Sequence, residues 1–174
     1  MTKYNIEEIK QWRDSVKIGE EILLSGTVYT ARDAAHKRII NLINENRPLP
    51  FDINGAVIYY AGPTPARDNM PIGSCGPTTS SRMDVFTPAL LELGLAATIG
   101  KGMRNDTVIT SMIKNHALYF CAIGGAGALA AKCVHKLDVI AFDDLGCESV
   151  KRLEIVDFPL IVGIDTHGGN LFER

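Results

Sequence analysis

The sequence predicts an α/β fold, organised as a single layered domain over residues 1–174. Two observations carry that prediction. Short apolar runs rich in β-branched and aromatic residues alternate with segments whose apolar residues recur at helical spacing, most clearly between Ala96 and Ile123. The chain of 174 residues, 46% hydrophobic and 22% charged, is also long enough to bury one sizeable core and too apolar for disorder.

Taken in order, Ile6, Ile9 and Trp12 recur at roughly helical spacing and predict a short amphipathic helix. Glu20 to Tyr29 reads as a strand. A helix follows, with Thr30 as its expected N-cap, Ala35, Ile39, Leu42 and Ile43 on one face, and Pro48 and Pro50 beyond its end. Ala56 to Ala61 is a compact apolar strand that runs into Gly62-Pro63-Thr64-Pro65, the start of a long loop reaching Pro77. A loop of that length usually carries function. Thr87-Pro88 marks a helix start and Gly94 its stop. Strand Ala96–Ile99, helix Asp106–Asn115 and strand Leu118–Ile123 come next, and Gly124-Gly125-Ala126-Gly127 reads as a tight turn into an Ala-rich helix. Val139–Phe142, Val150–Val156 and Leu160–Ile164 are three further strand candidates.

The formal net charge of −2, from 18 basic and 20 acidic residues, provides no footprint for nucleic acid or an anionic membrane. Met1 to Ser25 lacks a secretory apolar region, and the uncharged run Ala117–Ala131 is glycine-broken and too short to span about 30 Å of hydrocarbon. A soluble cytoplasmic protein is expected. Cys75, Cys121, Cys133 and Cys147 fall at wide, irregular spacings without a C-x-x-C pair, so no metal site is expected on this chain. Cys121 reads as a small core hydrophobe, whereas Cys75, in a polar loop, is open to either a reactive or a buried role.

The chemistry concentrates in Gly73-Ser74-Cys75-Gly76-Pro77-Thr78-Thr79-Ser80-Ser81-Arg82-Met83-Asp84. Gly76-Pro77 forces a turn, and the four hydroxyls behind it offer cap oxygens and free N–H groups at an expected helix start. Arg82 adds a planar donor fork suited to a carboxylate. An isolated segment of this kind would be a capped helix start with a surface arginine. Arg32 shifts the reading, because a cation in the first turn of a helix opposes the macrodipole unless an anion is shared there. Lys101, in Ile99-Gly100-Lys101-Gly102, sits where a strand ends, a favoured ligand position in α/β sheets. His36, one helical turn from Arg32, is placed either in the same pocket or as a hydrogen-bonded helix residue. His116 and His135 read as structural and His167 lies in a C-terminal loop. Neither Ile99–Gly102 nor Gly124–Gly127 matches a nucleotide-binding loop.

Together, Thr30-Ala31-Arg32-Asp33-Ala34-Ala35-His36, Ala61-Gly62-Pro63-Thr64-Pro65, the Gly76–Asp84 segment and Ile99-Gly100-Lys101-Gly102 resemble the class I, iron–sulfur-dependent fumarases. The resemblance is to their β subunit, equivalent to the C-terminal domain of single-chain members, and covers the chain from about Glu20 onward. The related L-tartrate dehydratase β subunit shares the four motifs. The resemblance implies a swivelling β/β/α domain that pairs with an α subunit carrying a [4Fe–4S] cluster, in an α2β2 assembly acting on a small dicarboxylate. It further implies that Arg32, Arg82 and Lys101 neutralise substrate carboxylates, that Thr78, Thr79, Ser80, Ser81 and Arg82 wrap the substrate, and that Thr78 is the base taking the C3 proton of malate, with Asp33 in reserve for proton transfer. Ser80-Ser81 stands where many relatives carry Ala-Gly or Ser-Gly. The competing class is a stand-alone anion-binding module in which the same three cations hold a phosphate or carboxylate without chemistry.

Overall fold

The computed structural model describes residues 1–123 and 127–173. The glycine-rich turn expected at Gly124, Gly125 and Ala126 therefore lies outside the described residues. The strands are β1 (Thr2–Asn5), β2 (Glu21–Thr30), β3 (Val57–Tyr59), β4 (Ala97–Gly100), β5 (Leu118–Cys121), β6 (Val134–Ala141) and β7 (Val150–Ile164). The helices are α1 (Ile9–Trp12), α2 (Asp33–Asn44), α3 (Thr87–Glu92), α4 (Asp106–Lys114) and α5 (Gly127–Lys132), with single 3₁₀ segments at Ile6–Glu8, Ser80–Met83 and Asp143–Glu148.

β2, β3, β4 and β5 lie side by side and parallel, with Thr30 opposite Tyr59, Tyr59 opposite Ile99, and Gly100 opposite Cys121. β7 runs antiparallel to both β5 and β2, which closes the five strands into a barrel-like ring. β1 adds to the free part of β2, and β6 to the free part of β7. Closure leaves none of the five strands as an unpaired edge along its whole length.

The sequence patterns follow from this arrangement. Every residue of β3 and β4 is buried, because one face looks into the ring and the other lies under helices, so both read as continuous apolar runs. Val28, Tyr59, Ile99, Phe120 and Leu153, from all five ring strands, meet in one core cluster inside the ring. Ile58, Tyr60 and Tyr119 point outward into a second cluster with Ala35 and Ile39 of α2, Leu90 and Leu91 of α3, and Val108 and Met112 of α4. Ile6, Ile9 and Trp12 are buried as expected, though the segment divides into a 3₁₀ turn and a four-residue helix.

Three expectations need correction. β1 was not expected, since an edge strand reading Thr-Lys-Tyr-Asn with mostly exposed side chains has no apolar period to find. The candidates Val150–Val156 and Leu160–Ile164 are one strand of 15 residues. Asp157 between them takes φ +51°, yet Ser25 Oγ accepts its N–H at 2.9 Å, and β2 pairs with β7 on both sides of that irregularity. Thr30 does not cap α2; the cap position belongs to Arg32, and the buried Thr30 hydroxyl accepts the backbone N–H of Lys151 at 3.1 Å.

Because Leu153 is fully buried inside the ring, Leu153→Ala is expected to lower unfolding free energy by about 2–5 kcal/mol in urea titrations. A loss below about 1 kcal/mol would place Leu153 outside a tightly packed core.

Candidate active site

Parallel strands put their carboxyl ends on one side, so Thr30, Tyr59, Gly100 and Cys121 share one rim of the ring. The shared direction of those ends, with the following loops leaving on one side, makes that rim the natural ligand position in a parallel sheet. The hydroxyl segment is tied across it by backbone bonds. Thr78 N–H donates to Tyr60 O at 2.7 Å, Ser80 N–H donates to Lys101 O at 2.9 Å, and Thr79 pairs with Lys101 as an isolated parallel bridge. Upstream, Thr64 and Ser74 close the long loop on itself, with Thr64 N–H on Ser74 O at 3.0 Å and Ser74 N–H on Thr64 Oγ1 at 2.8 Å.

The segments that carry the expected site residues therefore leave the same rim. Arg32 and Asp33 start α2 at the end of β2, Thr78 to Arg82 cross the ends of β3 and β4, and Lys101 leaves β4. An ion pair of 3.2 Å between Arg82 Nη2 and Asp33 Oδ2 joins the hydroxyl segment to α2. Thr79, Ser81, Arg82 and Lys101 are exposed, and Thr78 and Arg32 are partly so. Ser80 faces the other way. It is fully buried, its hydroxyl 2.9 Å from the Tyr119 hydroxyl, and a Cβ added at Gly100 would come within 1.9 Å of Ser80 Oγ. Only glycine at 100 lets Ser80 sit against the strand. Ser80 to Met83 forms a 3₁₀ turn without a side-chain cap, so the hydroxyls do not start the helix the sequence suggested.

Beneath this turn lies a polar cluster that sequence reasoning missed. The buried Arg104 guanidinium donates from Nε to Asp84 Oδ1 at 2.6 Å, from Nη1 to Thr98 Oγ1 at 3.0 Å, and from Nη2 to the Tyr60 hydroxyl at 3.1 Å and Thr87 Oγ1 at 2.8 Å. It lies 5.2 Å and 5.1 Å from the ring centroids of Tyr60 and Tyr119. Asp84 Oδ2 takes the Asn105 N–H at 2.9 Å, and the Tyr119 hydroxyl donates to Gly102 O at 2.8 Å. One fork thus fastens both the segment carrying Arg82 and the segment carrying Lys101. Nothing local marks Arg104, because its partners come from four separate stretches of chain.

His36 does not reach the exposed pocket. It is fully buried between Tyr60 and Phe86, and its Nδ1–H donates to the Arg32 carbonyl at 2.8 Å. Burial, the dominant cause, with the nearby Arg104 charge adding to it, pushes the imidazole pKa down to about 4 against the pull of the Arg32 carbonyl and Asp33. Cys75 is likewise settled as a buried thiol, pushed up to about 12 by desolvation. His167 lies at the far rim, past the end of β7 where Ile164 pairs with Tyr119, with Nε2 3.0 Å from Asp14 O.

Compared with known proteins, residues 2–174 match the family model described as Fumarase C-terminus. The chain belongs to this family. It is 39% identical over 165 residues to a putative L(+)-tartrate dehydratase subunit beta of Methanocaldococcus jannaschii, covering 91% of this chain and 85% of that one. With the L(+)-tartrate dehydratase subunit beta of Escherichia coli K12 it shares 38% over 161 residues, 90% of this chain and 79% of that one. Fumarate hydratase 2 of Leishmania major is 33% identical over 174 residues, which are 99% of this chain but 31% of the relative.

All four cysteines are free, and among the described residues no three His, Cys, Asp or Glu side chains lie together as a ligand set. Among the same residues no helix is long and apolar enough to cross a membrane.

Breaking the buried pair with Arg104→Met is expected to cost about 3–5 kcal/mol of unfolding free energy, because Asp84 is left charged and unpaired. Arg104→Met with Asp84→Leu should recover much of that loss in the same urea titration; equal losses would show that the pairing is not the cause.

The depressed His36 pKa fixes the sign of a pH effect. The unfolded chain takes up this proton below about 6.5 and the folded chain only near 4, so this contribution is complete above pH 6.5 and is lost as pH falls. Unfolding free energy should fall by about 3 kcal/mol between pH 6.5 and 4 from this group, and His36→Asn should flatten that part of the profile. Parallel profiles for the two proteins would refute it.

Proposed function

We propose that this chain is the β subunit of a hydro-lyase interconverting (S)-malate and fumarate, and that it contributes the dicarboxylate-binding half of the active site. The observation that carries the reading is that the segments bearing Arg32, Arg82 and Lys101 leave the same strand-end rim that the hydroxyl segment crosses. Two guanidinium forks and an ammonium suit a C4 dianion better than a single phosphate. Thr79, Ser81 and the backbone of the 3₁₀ turn would hydrogen-bond its oxygens.

Thr78 is the proposed base for the C3 proton. Its backbone N–H is fixed on Tyr60 O at 2.7 Å, which limits where its hydroxyl can go. A threonine hydroxyl is a weak base, so its alkoxide must be stabilised by the fields of Lys101 and Arg82. Asp33, ion-paired with Arg82, is the second candidate for moving the proton. The [4Fe–4S] group that the resemblance to class I fumarases implies is proposed to lie on an α subunit, where it would supply the Lewis acid for the departing hydroxyl.

A partner is favoured over a stand-alone anion module by the rim itself. Val85 is 79% exposed beside Arg82 and Met103 is 63% exposed beside Lys101, and apolar side chains so placed gain from being covered. We further propose one domain over residues 1–174, swivelling of the β/β/α type against that partner, an α2β2 assembly and a cytoplasmic location. A second reading, the β subunit of an L-tartrate dehydratase, is favoured by the matching lengths of the two tartrate dehydratase β subunits, of which the chain covers 85% and 79%.

Anaerobic co-expression with a candidate α subunit, followed by malate, fumarate and tartrate assays, decides between them: turnover of tartrate without malate reverses the substrate assignment. In the active assembly Thr78→Ala is expected to lower kcat by about 10²–10⁴-fold with KM changed little. An unchanged kcat would remove Thr78 as the base.

A further inference from the structure

The Arg32 side chain is 27% exposed, but its Nε is buried and has no hydrogen-bond acceptor among the described residues. A buried N–H without an acceptor costs about 1–3 kcal/mol, so such an atom calls for a partner. The nearest acid is Glu148, whose Oε1 lies 3.9 Å away, within ion-pair range but beyond hydrogen-bond range. Gly62 packs against the same side chain, where an added Cβ would meet Arg32 Nη1 at 3.0 Å and Cys147 O at 3.2 Å. Nε is thus closed to solvent although 27% of the side chain remains exposed.

The turn that carries Glu148 is anchored on both sides. Arg38 of α2 binds Asp144 through two bonds of 2.7 Å and 2.6 Å and lies 5.3 Å from the Phe142 ring centroid. Buried Lys151 donates to Cys147 O at 3.0 Å and to Ser149 O and Oγ at 3.2 Å and 2.9 Å, with Gly146 O at 3.3 Å. An ammonium held by neutral oxygens leaves the Glu148 charge free for Arg32.

We propose that Glu148 is the positioning residue of Arg32. It engages the buried Nε edge after a shift of about 1 Å and so aims the terminal nitrogens at a substrate carboxylate. This rests on the reading of Arg32 as a dicarboxylate ligand. Competition between Glu148 and the substrate for Nε is excluded by that atom's burial, so removing the Glu148 charge should weaken binding even though it removes a negative charge from the site.

The test uses the assembled enzyme. Glu148→Gln, which keeps the shape and removes the charge, is expected to raise KM for malate about fivefold with kcat within about twofold. Succinate, a C4 dicarboxylate without the hydroxyl, reports binding without turnover. Calorimetry should show the same weakening for Glu148→Gln in the wild-type background and none in Arg32→Lys, which has no Nε–H. A KM that stays level or falls, or equal weakening in both backgrounds, overturns the assignment. Absence of turnover on malate and tartrate, with succinate bound and the cycle still coupled, would sink the hydro-lyase reading and leave Glu148 in place.

Discussion

The candidate site depends on one buried ion pair. Neither Arg104 nor Asp84 could be taken from water alone, since an unpaired charge in a protein interior costs several kcal/mol. Paired at 2.6 Å, with Thr98, Tyr60 and Thr87 taking the remaining fork and Asn105 the second carboxylate oxygen, both charges are satisfied. The pair supplies definition more than net stability. Asp84 ends the 3₁₀ turn that carries Ser80 to Met83, and Arg104 follows Lys101 by three residues, so the two surface loops, tied to each other by backbone bonds, are also set from below.

Above that pair the ring does the rest. Four parallel strands deliver their carboxyl ends to one rim, and β7 closes the seam, so the rim is a fixed frame on which loops are hung by backbone bonds. The cationic groups proposed to meet substrate are exposed or partly so, while most of the polar residues that hold their segments are buried and hydrogen-bonded. His36 on the Arg32 carbonyl, Tyr119 on Ser80 and Arg104 on Asp84 all belong to the second group. Preorganisation of this kind lets a solvent-facing loop act as a site.

The members of the site were legible in the sequence because each carries a local signature. Arg32 opens a helix, Lys101 sits between glycines after a strand, and Arg82 follows a hydroxyl run behind Gly-Pro. What those signatures could not convey was direction. Ser80 and Ser81 are chemically identical neighbours, and only the close approach of Gly100 turns the first inward while the second faces solvent. Thr30 had the right residue type and place for a cap, but Lys151 from a strand 121 positions away claims its hydroxyl. Arg104 and Glu148 had no local pattern, since Asp84, Thr87 and Tyr60 lie 17 to 44 positions from Arg104 and Arg32 lies far from Glu148 in sequence.

The sequence by itself determined the α/β alternation, most helix and strand positions, the family, and the segments that supply the candidate site, because hydrophobic period, proline and glycine punctuation and short motifs are local properties of the chain. The tertiary structure alone decided that β7 closes a ring, that Cys75 and His36 are buried and held neutral, and that Arg104 and Glu148 support the site. Those outcomes depend on strand pairing, desolvation and charge pairing between distant segments, which exist only once the chain has folded.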